Sequence, residues 1–158
     1  MLIRYWNSDK YKVSFLGIPK CGSSSVRAAL GCHPENDWSL DPKYEKTITF
    51  LRDPVERFVS MFGEMHRQRH TDKAATFEMF VASIKRHGFW NEHLLPQSRY
   101  YRPCYEVYIL NDHKGFEDKY EQLPHINITA QRVKVNLGVK SLIKEWYNRD
   151  YLLINQLK

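Results

Sequence analysis

The sequence has few cysteines and no pattern that would link them. Cys21, Cys32 and Cys104 are its three cysteines, and their spacing is irregular. An odd number of cysteines at such spacing makes neither a disulfide framework nor a zinc-binding pattern. We therefore expect a protein of a reducing compartment with no structural metal.

Long apolar runs are missing as well. No window approaches the ~20 apolar residues of a membrane span, and the N-terminal segment MLIRYWNSDKYK lacks an apolar core of signal-peptide length. Low-complexity tracts, internal repeats and linkers rich in proline, glycine and serine are absent too. The 158 residues fit one domain of ordinary size, so we expect a single-domain cytoplasmic protein spanning residues 1–158.

Basic residues outnumber acidic ones. The chain has 24 lysines and arginines against 18 aspartates and glutamates, a formal net charge of +6. This excess favours anionic partners. Nucleotides, nucleic acids, sulfated sugars and acidic membranes all belong to that class, so charge alone does not choose among them.

The segment IPKCGSSSV, residues 18–26, directly follows a predicted buried strand at residues 11–18. Its serines can open a helix that runs to Leu30. Small residues let backbone amides approach a ligand closely, and a lysine among them suggests that the ligand is an anion. A Walker loop is disfavoured, because Lys20 precedes Gly22 instead of following the last glycine.

A second strand, Thr47–Leu51, ends at another polar motif. Asp53 can cap a helix and Pro54 can be its first residue, so a helix should start at once. Arg52 at the strand end and Ser60 two turns into that helix form a second anion site, with a guanidinium fork and a hydroxyl donor. Two separated phosphate sites suggest a nucleotide phosphorylated at both ends of its ribose.

The remaining periodic segments complete an α/β pattern. Helices are predicted at residues 76–87 and 139–148, and a strand at residues 105–110. Strands that alternate with helices indicate a mainly parallel sheet, in which ligands bind beyond the carboxyl ends of the strands. Lys20 and Arg52 both lie at such ends.

These motifs resemble those of sulfotransferases that use 3'-phosphoadenosine-5'-phosphosulfate (PAPS). IPKCGSSSV is similar to their 5'-phosphosulfate loop, and FLRDPVERFVSMF to their 3'-phosphate motif. NEHLLPQSRYYRPC resembles the H-W-x-P-Q segment of Golgi carbohydrate sulfotransferases, with Leu94 in place of the tryptophan. KGFEDKYEQLPHINIT and EWYNRDYLLIN resemble later segments, so the likeness covers most of residues 13–155.

The resemblance implies a P-loop-like, three-layer fold in which helices flank a mainly parallel central sheet. It assigns one set of loop residues to the 5'-phosphosulfate: Lys20, Cys21, Gly22, Ser23, Ser24 and Ser25. Within that set, Lys20 would contact the bridging and phosphosulfate oxygens. Arg52 and Ser60 would take the 3'-phosphate. The scheme needs no metal, since sulfuryl transfer asks mainly for alignment and charge stabilisation.

The acceptor hydroxyl must lose a proton to a base as it attacks. His93 is the first candidate, because it occupies the histidine position of the resembled motif. His33 is the rival, because sulfotransferases of glycosaminoglycan uronic acids place a histidine between the two phosphate motifs. His33 is less favoured because it follows a predicted helix end, which should lie on the face opposite the site. Asp41 and Glu64 are outside candidates.

Other polar residues receive structural interpretations. Arg57 and Arg67 are interpreted as surface charges, and HRQRH, residues 66–70, as a solvated helix end or the lining of an acidic acceptor site. The pair Tyr100-Tyr101 is expected in the core or at a sheet edge.

The sequence thus predicts a PAPS-dependent sulfotransferase that releases adenosine 3',5'-bisphosphate (PAP) and modifies a carbohydrate hydroxyl. A lipid, a small metabolite or a protein tyrosine stays open as the acceptor. One alternative is a nucleotide-binding module without turnover. Another is a basic nucleic-acid-binding domain, although the basic residues are scattered and no nucleic-acid-binding motif accompanies them.

Overall fold

The computed structural model describes residues 3–32, 38–67, 76–124 and 133–158. Ten helices and strands follow one another in these ranges: β1 (Tyr5–Ser8), β2 (Val13–Leu16), α1 (Ser23–Ala29), β3 (Thr47–Leu51), α2 (Pro54–Arg67), α3 (Phe77–His87), β4 (Glu106–Ile109), α4 (Lys114–Glu117), α5 (Leu137–Trp146) and α6 (Asn148–Leu157). Two short 3-10 turns, Glu92–Leu94 and Gln97–Arg99, lie between α3 and β4.

The four strands form one sheet in the order β1-β2-β3-β4. Strand β2 is parallel to β3 and β3 to β4, whereas β1 pairs antiparallel with β2. The prediction of a mainly parallel α/β sheet is therefore confirmed. We call the edge where β2, β3 and β4 end the site edge, and the edge where they begin the opposite edge.

The central strands formed where the sequence predicted them. Every residue of Val13–Leu16 and of Thr47–Leu51 is buried, as expected for strands covered on both faces. The strand predicted at residues 105–110 is Glu106–Ile109. Strand β1 was not predicted, because its sequence YWNS is short and does not alternate apolar with polar residues.

Helix α2 starts and packs as its sequence indicates. Asp53 Oδ1 accepts hydrogen bonds from the N–H groups of Val55 and Glu56, at 2.9 and 3.0 Å. Its apolar stripe faces the interior, where the ring of Phe58 contacts those of Phe80 and Trp146 with centroids 5.3 and 6.0 Å apart. The cap and the amphipathic face are both confirmed.

The C-terminal helical region differs from its prediction. A single helix was expected at residues 139–148, but the chain forms α5, Leu137–Trp146, and a second helix, α6, directly after it. The break lies at Tyr147, whose backbone leaves the helical region at φ −114° and ψ 27°. Helix α6 was missed because it is held partly by a buried carboxylate, Asp150, which an apolar pattern does not include.

Two groups of buried apolar residues stabilise these elements. One packs the sheet against α1, α4 and α6, and includes Phe15, Val26 and Phe116. The other joins α2, α3 and α5, and includes Phe58 and Ile143. Helices α1 and α2 begin at the site edge, after β2 and β3. Since α1 packs in the first group and α2 in the second, both groups of buried residues support this edge.

Within the four described ranges, no helix has the length and apolarity needed to cross a membrane. Helix α2 has 14 residues, which corresponds to about 21 Å at the usual helical rise, short of the ~30 Å hydrocarbon layer.

Candidate functional site

The loop after β2 makes two turns in left-handed backbone. Gly22 has φ +78°, which strains any residue with a side chain, and a Cβ atom there would lie 2.6 Å from Leu110 Cδ1, so this position favours glycine. Lys20 also has a positive φ, +65°, although it carries a side chain. Such a conformation costs a non-glycine residue about 1–2 kcal/mol. The fold thus holds Lys20 in a strained position directly before the turn into α1.

The ammonium group of Lys20 meets a carboxylate from α2. Its Nζ lies 3.3 Å from Glu64 Oε2, and the two side chains are 20% and 15% exposed. The pair is therefore sheltered from water without being sealed. A second anion that reached Lys20 would compete with Glu64 for it.

Arg52 leaves the end of β3 and reaches the same loop. Its Nη1 donates to the carbonyl oxygen of Lys20 at 3.4 Å, and its Nε to Glu56 Oε2, also at 3.4 Å. Both contacts are long for hydrogen bonds of a charged group. The structure therefore brings the two predicted anion-binding motifs into direct contact at the site edge.

Arg57 is not a surface charge, and that prediction was wrong. Its side chain is only 1% exposed, with Nε donating to the carbonyl of Pro19 and Nη2 to that of His93, both at 3.0 Å. The missed signal is the spacing of Arg57 with Met61 and Met65, which continue the same helical row and are buried. Arg57 thus ties the lysine loop to the histidine segment.

Ser60 lies on the same face of α2 as Arg57 and Glu64, at positions i, i+3 and i+7. It is 5% exposed. Its two neighbours on this face contact Pro19 and Lys20. The predicted 3'-phosphate serine therefore lies on the face of α2 that carries the contacts to the lysine loop.

The small residues of the loop differ in burial and in hydrogen bonding. Ser23 donates its hydroxyl proton to the carbonyl of Ile18 at 3.1 Å and so closes the turn. Ser25 is buried and Ser24 is half-buried. The thiol of Cys21 is buried and donates to Gln97 Oε1 at 3.0 Å, and burial raises its pKa to about 11. Cys21 is therefore a neutral thiol that connects the loop to Gln97.

His93 lies in the 3-10 turn Glu92–Leu94, where its N–H donates to the side chain of Asn91 at 2.8 Å. Burial lowers the pKa of His93, and the positive charge of Lys20 acts in the same direction, while Glu92 opposes both. An imidazole with a lowered pKa is neutral at neutral pH and able to accept a proton. The positive charge of Lys20 thus helps to keep the imidazole of the first candidate base neutral.

The other candidate bases are placed differently. His33 lies outside the described residues. Asp41 is exposed beside the edge strand β1, where its carbonyl accepts a hydrogen bond from Ser39. Glu64 belongs to the site, as the partner of Lys20. The side chains of HRQRH and of Arg67 lie outside the described part of the chain.

Two buried polar residues next to the site were not predicted from the sequence. Gln97 and Asp150 are both fully buried, and Asp150 Oδ2 accepts the backbone N–H of Gln97 at 2.8 Å. The carboxamide of Gln97 bonds to the backbone of Arg52 and to the thiol of Cys21. The signal for Gln97 was its place in the HLLPQ segment, whereas Asp150 had none. Tyr100, expected in the core or at a sheet edge, is buried in the core.

No protein-family model matches this chain, and no curated protein or solved structure is significantly similar to it. In the part of the chain that the structure describes, histidine, cysteine, aspartate and glutamate residues form no group of three able to hold a metal ion. The function of the site therefore has to be inferred from its own residues.

Proposed function

We propose that the protein transfers the sulfuryl group of PAPS to an acceptor hydroxyl of a carbohydrate. The observation that carries the proposal is the contact between the two motifs, in which Arg52 Nη1 lies 3.4 Å from the carbonyl oxygen of Lys20. Two cationic residues on adjoining strand ends suit one nucleotide with phosphates at its 5' and 3' positions. ATP, which has no 3'-phosphate, would leave Arg52 and Ser60 without that ligand.

The connections that follow β2 support a P-loop-like, three-layer fold that binds such a nucleotide. A buried strand leads through a glycine turn into a helix, and the next strand lies parallel to it. In sheets of this kind, ligands bind in the crevice beyond the carboxyl ends of the strands. Lys20 and Arg52 extend from two such ends.

The transfer step uses the positions of Lys20 and His93. The acceptor oxygen attacks sulfur and forms a new S–O bond, while the bond from sulfur to the 5'-phosphate oxygen breaks and its electron pair leaves with PAP. Lys20 stabilises the negative charge that develops on that oxygen. The proton of the acceptor goes to the imidazole of His93, whose lowered pKa keeps it neutral beforehand.

His93 suits the role of base because it is anchored to the lysine loop. Arg57 donates to the carbonyls of Pro19 and His93, so one guanidinium holds both segments. A shared anchor of this kind limits their relative motion. His33 stays a rival candidate, on the resemblance alone.

The carbohydrate acceptor rests on the similarity of HLLPQ to the segment of Golgi carbohydrate sulfotransferases. Glu92, which directly precedes His93 in the chain, forms a salt-bridged pair with Arg4, with N and O atoms 4.0 Å apart. Hydroxyl-rich ligands can bond to both members of such a pair. A lipid, a small metabolite and a tyrosine are the competing acceptors for a substrate screen.

A second candidate function is a module that binds PAP without turnover. The pairing of Lys20 with Glu64 favours it, because that carboxylate offsets the positive charge that the transfer step requires. Both functions bind the same nucleotide, and they differ only in whether the sulfuryl group is transferred.

A thermal-shift screen with PAP, ATP and a DNA oligomer tests the nucleotide. At ~100 times its dissociation constant, PAP should stabilise the protein by about 2.7 kcal/mol, which raises Tm by roughly 5 to 10 °C. Equal shifts with PAP and ATP would contradict the two-site assignment. Incorporation of radiolabelled sulfate from PAPS into a panel of acceptors then separates the enzyme from the binding module.

A further inference from the structure

The carboxamide of Gln97 is buried against the end of β3. Its Oε1 accepts the backbone N–H of Arg52 at 2.8 Å, and its Nε2 donates to the backbone carbonyl of Arg52 at 2.9 Å. These are the two bonds that a neighbouring strand would make to the same residue. The side chain of Gln97 thus takes the place of a strand partner and fixes the backbone from which the guanidinium of Arg52 extends.

The same carboxamide reaches the lysine loop. Gln97 Oε1 also accepts the thiol of Cys21 at 3.0 Å. Cys21 directly follows Lys20, whose carbonyl is the group that Arg52 contacts. One buried oxygen therefore touches both anion-binding motifs, at a residue next to Lys20 and at Arg52 itself.

A carboxylate from the C-terminal helix α6 holds Gln97 in place. Asp150 Oδ2 accepts the backbone N–H of Gln97 at 2.8 Å and its Nε2 at 3.3 Å, while Oδ1 accepts the N–H of Ser98 at 2.8 Å. A buried carboxylate is stable only when donors of this kind surround it. Because these bonds direct Nε2 toward Asp150 and Arg52, they leave Oε1 as the acceptor for Arg52 and Cys21.

We propose that Gln97, held by Asp150, sets the distance between the Lys20 loop and Arg52 and thereby determines whether one nucleotide can engage both. The inference rests on the proposed function. Gln97 and Asp150 are both 0% exposed, so neither touches the nucleotide, and both are positioning residues. Lys20 and Arg52 each bind one phosphate. The bonds from Gln97 to Cys21 and Arg52 fix their spacing, so that one nucleotide can bind both.

The test compares two nucleotides that differ by one phosphate. Titration calorimetry measures PAP and adenosine 5'-monophosphate on the wild type, on Gln97→Met and on Asp150→Asn. The wild type should prefer PAP by about 10- to 150-fold, the value of a charge-assisted contact to the 3'-phosphate. Gln97→Met keeps the side-chain length and removes the polar bonds, so this preference should fall at least fivefold. Asp150→Asn should lower it by about two- to threefold, because its amide replaces one of the two acceptor oxygens with an N–H₂ group that faces a backbone N–H.

A loss of stability alone would weaken both nucleotides alike and leave the preference unchanged. Ile143→Val serves as the matched control, since Ile143 is buried in the other core group and belongs to none of these bonds. If Gln97→Met does not fold, Asp150→Asn decides by itself. Equal affinity of the wild type for both nucleotides would overturn the proposed function and this inference together. A wild-type preference that persists in the folded variants would overturn this inference alone.

Discussion

The two edges of the sheet carry the same kinds of charged residue but pair them differently. At the opposite edge, Lys46 Nζ lies 2.7 Å from Glu106 Oε2, and Lys43 Nζ lies 2.7 Å from Asp9 Oδ1. At the site edge, Lys20 and Arg52 lie 3.3 and 3.4 Å from their carboxylate partners. Short contacts of about 2.7–2.9 Å are the usual length of charge-assisted hydrogen bonds. The site edge therefore holds its cations loosely.

The pKa of the carboxylates at the opposite edge reflects the tighter pairing. Burial raises the pKa of Glu106, but hydrogen bonds from Lys119, Lys46 and Tyr108 outweigh burial and bring it to about 2. Hydrogen bonds from Lys43 and Tyr44 likewise lower the pKa of Asp9 to about 2. Each of these lysines therefore lies against a carboxylate that it helps to keep ionised. A loosely held cation can exchange its partner for a phosphate, so matched substitutions at the two edges should have different consequences.

The largest effect is expected for His93→Ala. Loss of the base should slow the chemical step by ~100- to 10,000-fold, the usual range for general-base catalysis, and leave PAP affinity nearly unchanged. Because burial lowers the pKa of His93 from 6.5, the acidic fall in the wild-type rate should lie below pH 6.5, where the imidazole becomes protonated. Single-turnover rates measured across pH test both points.

The control for His93 is His87→Ala, since His87 is exposed at the end of α3. The His87→Ala variant should keep the wild-type transfer rate and the fall of that rate at acidic pH. If His93→Ala retains both while His33→Ala loses them, the base lies between the two phosphate motifs and the HLLPQ segment has another role.

The next largest effect is expected for Lys20→Met, and Lys46→Met at the opposite edge is its matched comparison. Removal of one preorganised donor to a developing negative charge costs about 100- to 1,000-fold in rate. Lys20→Met should therefore lose that much at saturating PAPS. Lys46→Met should stay near the wild type, because Lys46 lies at the opposite edge and pairs with Glu106 there. A sulfate-transfer assay decides, and similar rates for both variants would remove Lys20 from the mechanism.

Arg52→Ala should act on binding more than on chemistry. Loss of a charge-assisted contact to the 3'-phosphate should weaken PAP by about 1.5 to 3 kcal/mol. Lys43→Ala, at the opposite edge, removes a cation of the same charge and should change PAP affinity little. Calorimetric titration of both variants measures the difference. Equal losses would mean that net charge, and not the site, attracts the nucleotide.

The smallest effect is expected for Glu64→Gln. Without its carboxylate, Lys20 no longer has a competing anion, so PAP should bind more tightly by about 0.2 to 1 kcal/mol, the usual worth of such a pair. Glu106→Gln provides the comparison at the opposite edge and should not strengthen PAP binding. A transfer rate that falls by orders of magnitude in Glu64→Gln would instead identify Glu64 as the base.

Local chemistry made much of the fold predictable. The β-branched run of β3, the cap at Asp53 and the apolar row of α2 each depend on neighbours within a few residues, and all three were confirmed. The placement of Lys20 and Arg52 was predictable for a similar reason, because parallel strands end at one edge. The assignment of these residues to PAPS stays a prediction.

By itself, the sequence determined the parallel strands, the glycine turn before α1 and the cations at the strand ends. Only the tertiary structure decided that Arg57 bonds to the carbonyls of Pro19 and His93 and that Gln97 and Asp150 join the two motifs. Gln97 and Asp150 are 53 residues apart, and Gln97 and Arg52 are 45. No periodicity identifies the distant backbone groups to which these polar side chains bond, since such bonds exist only after the chain has brought those segments together.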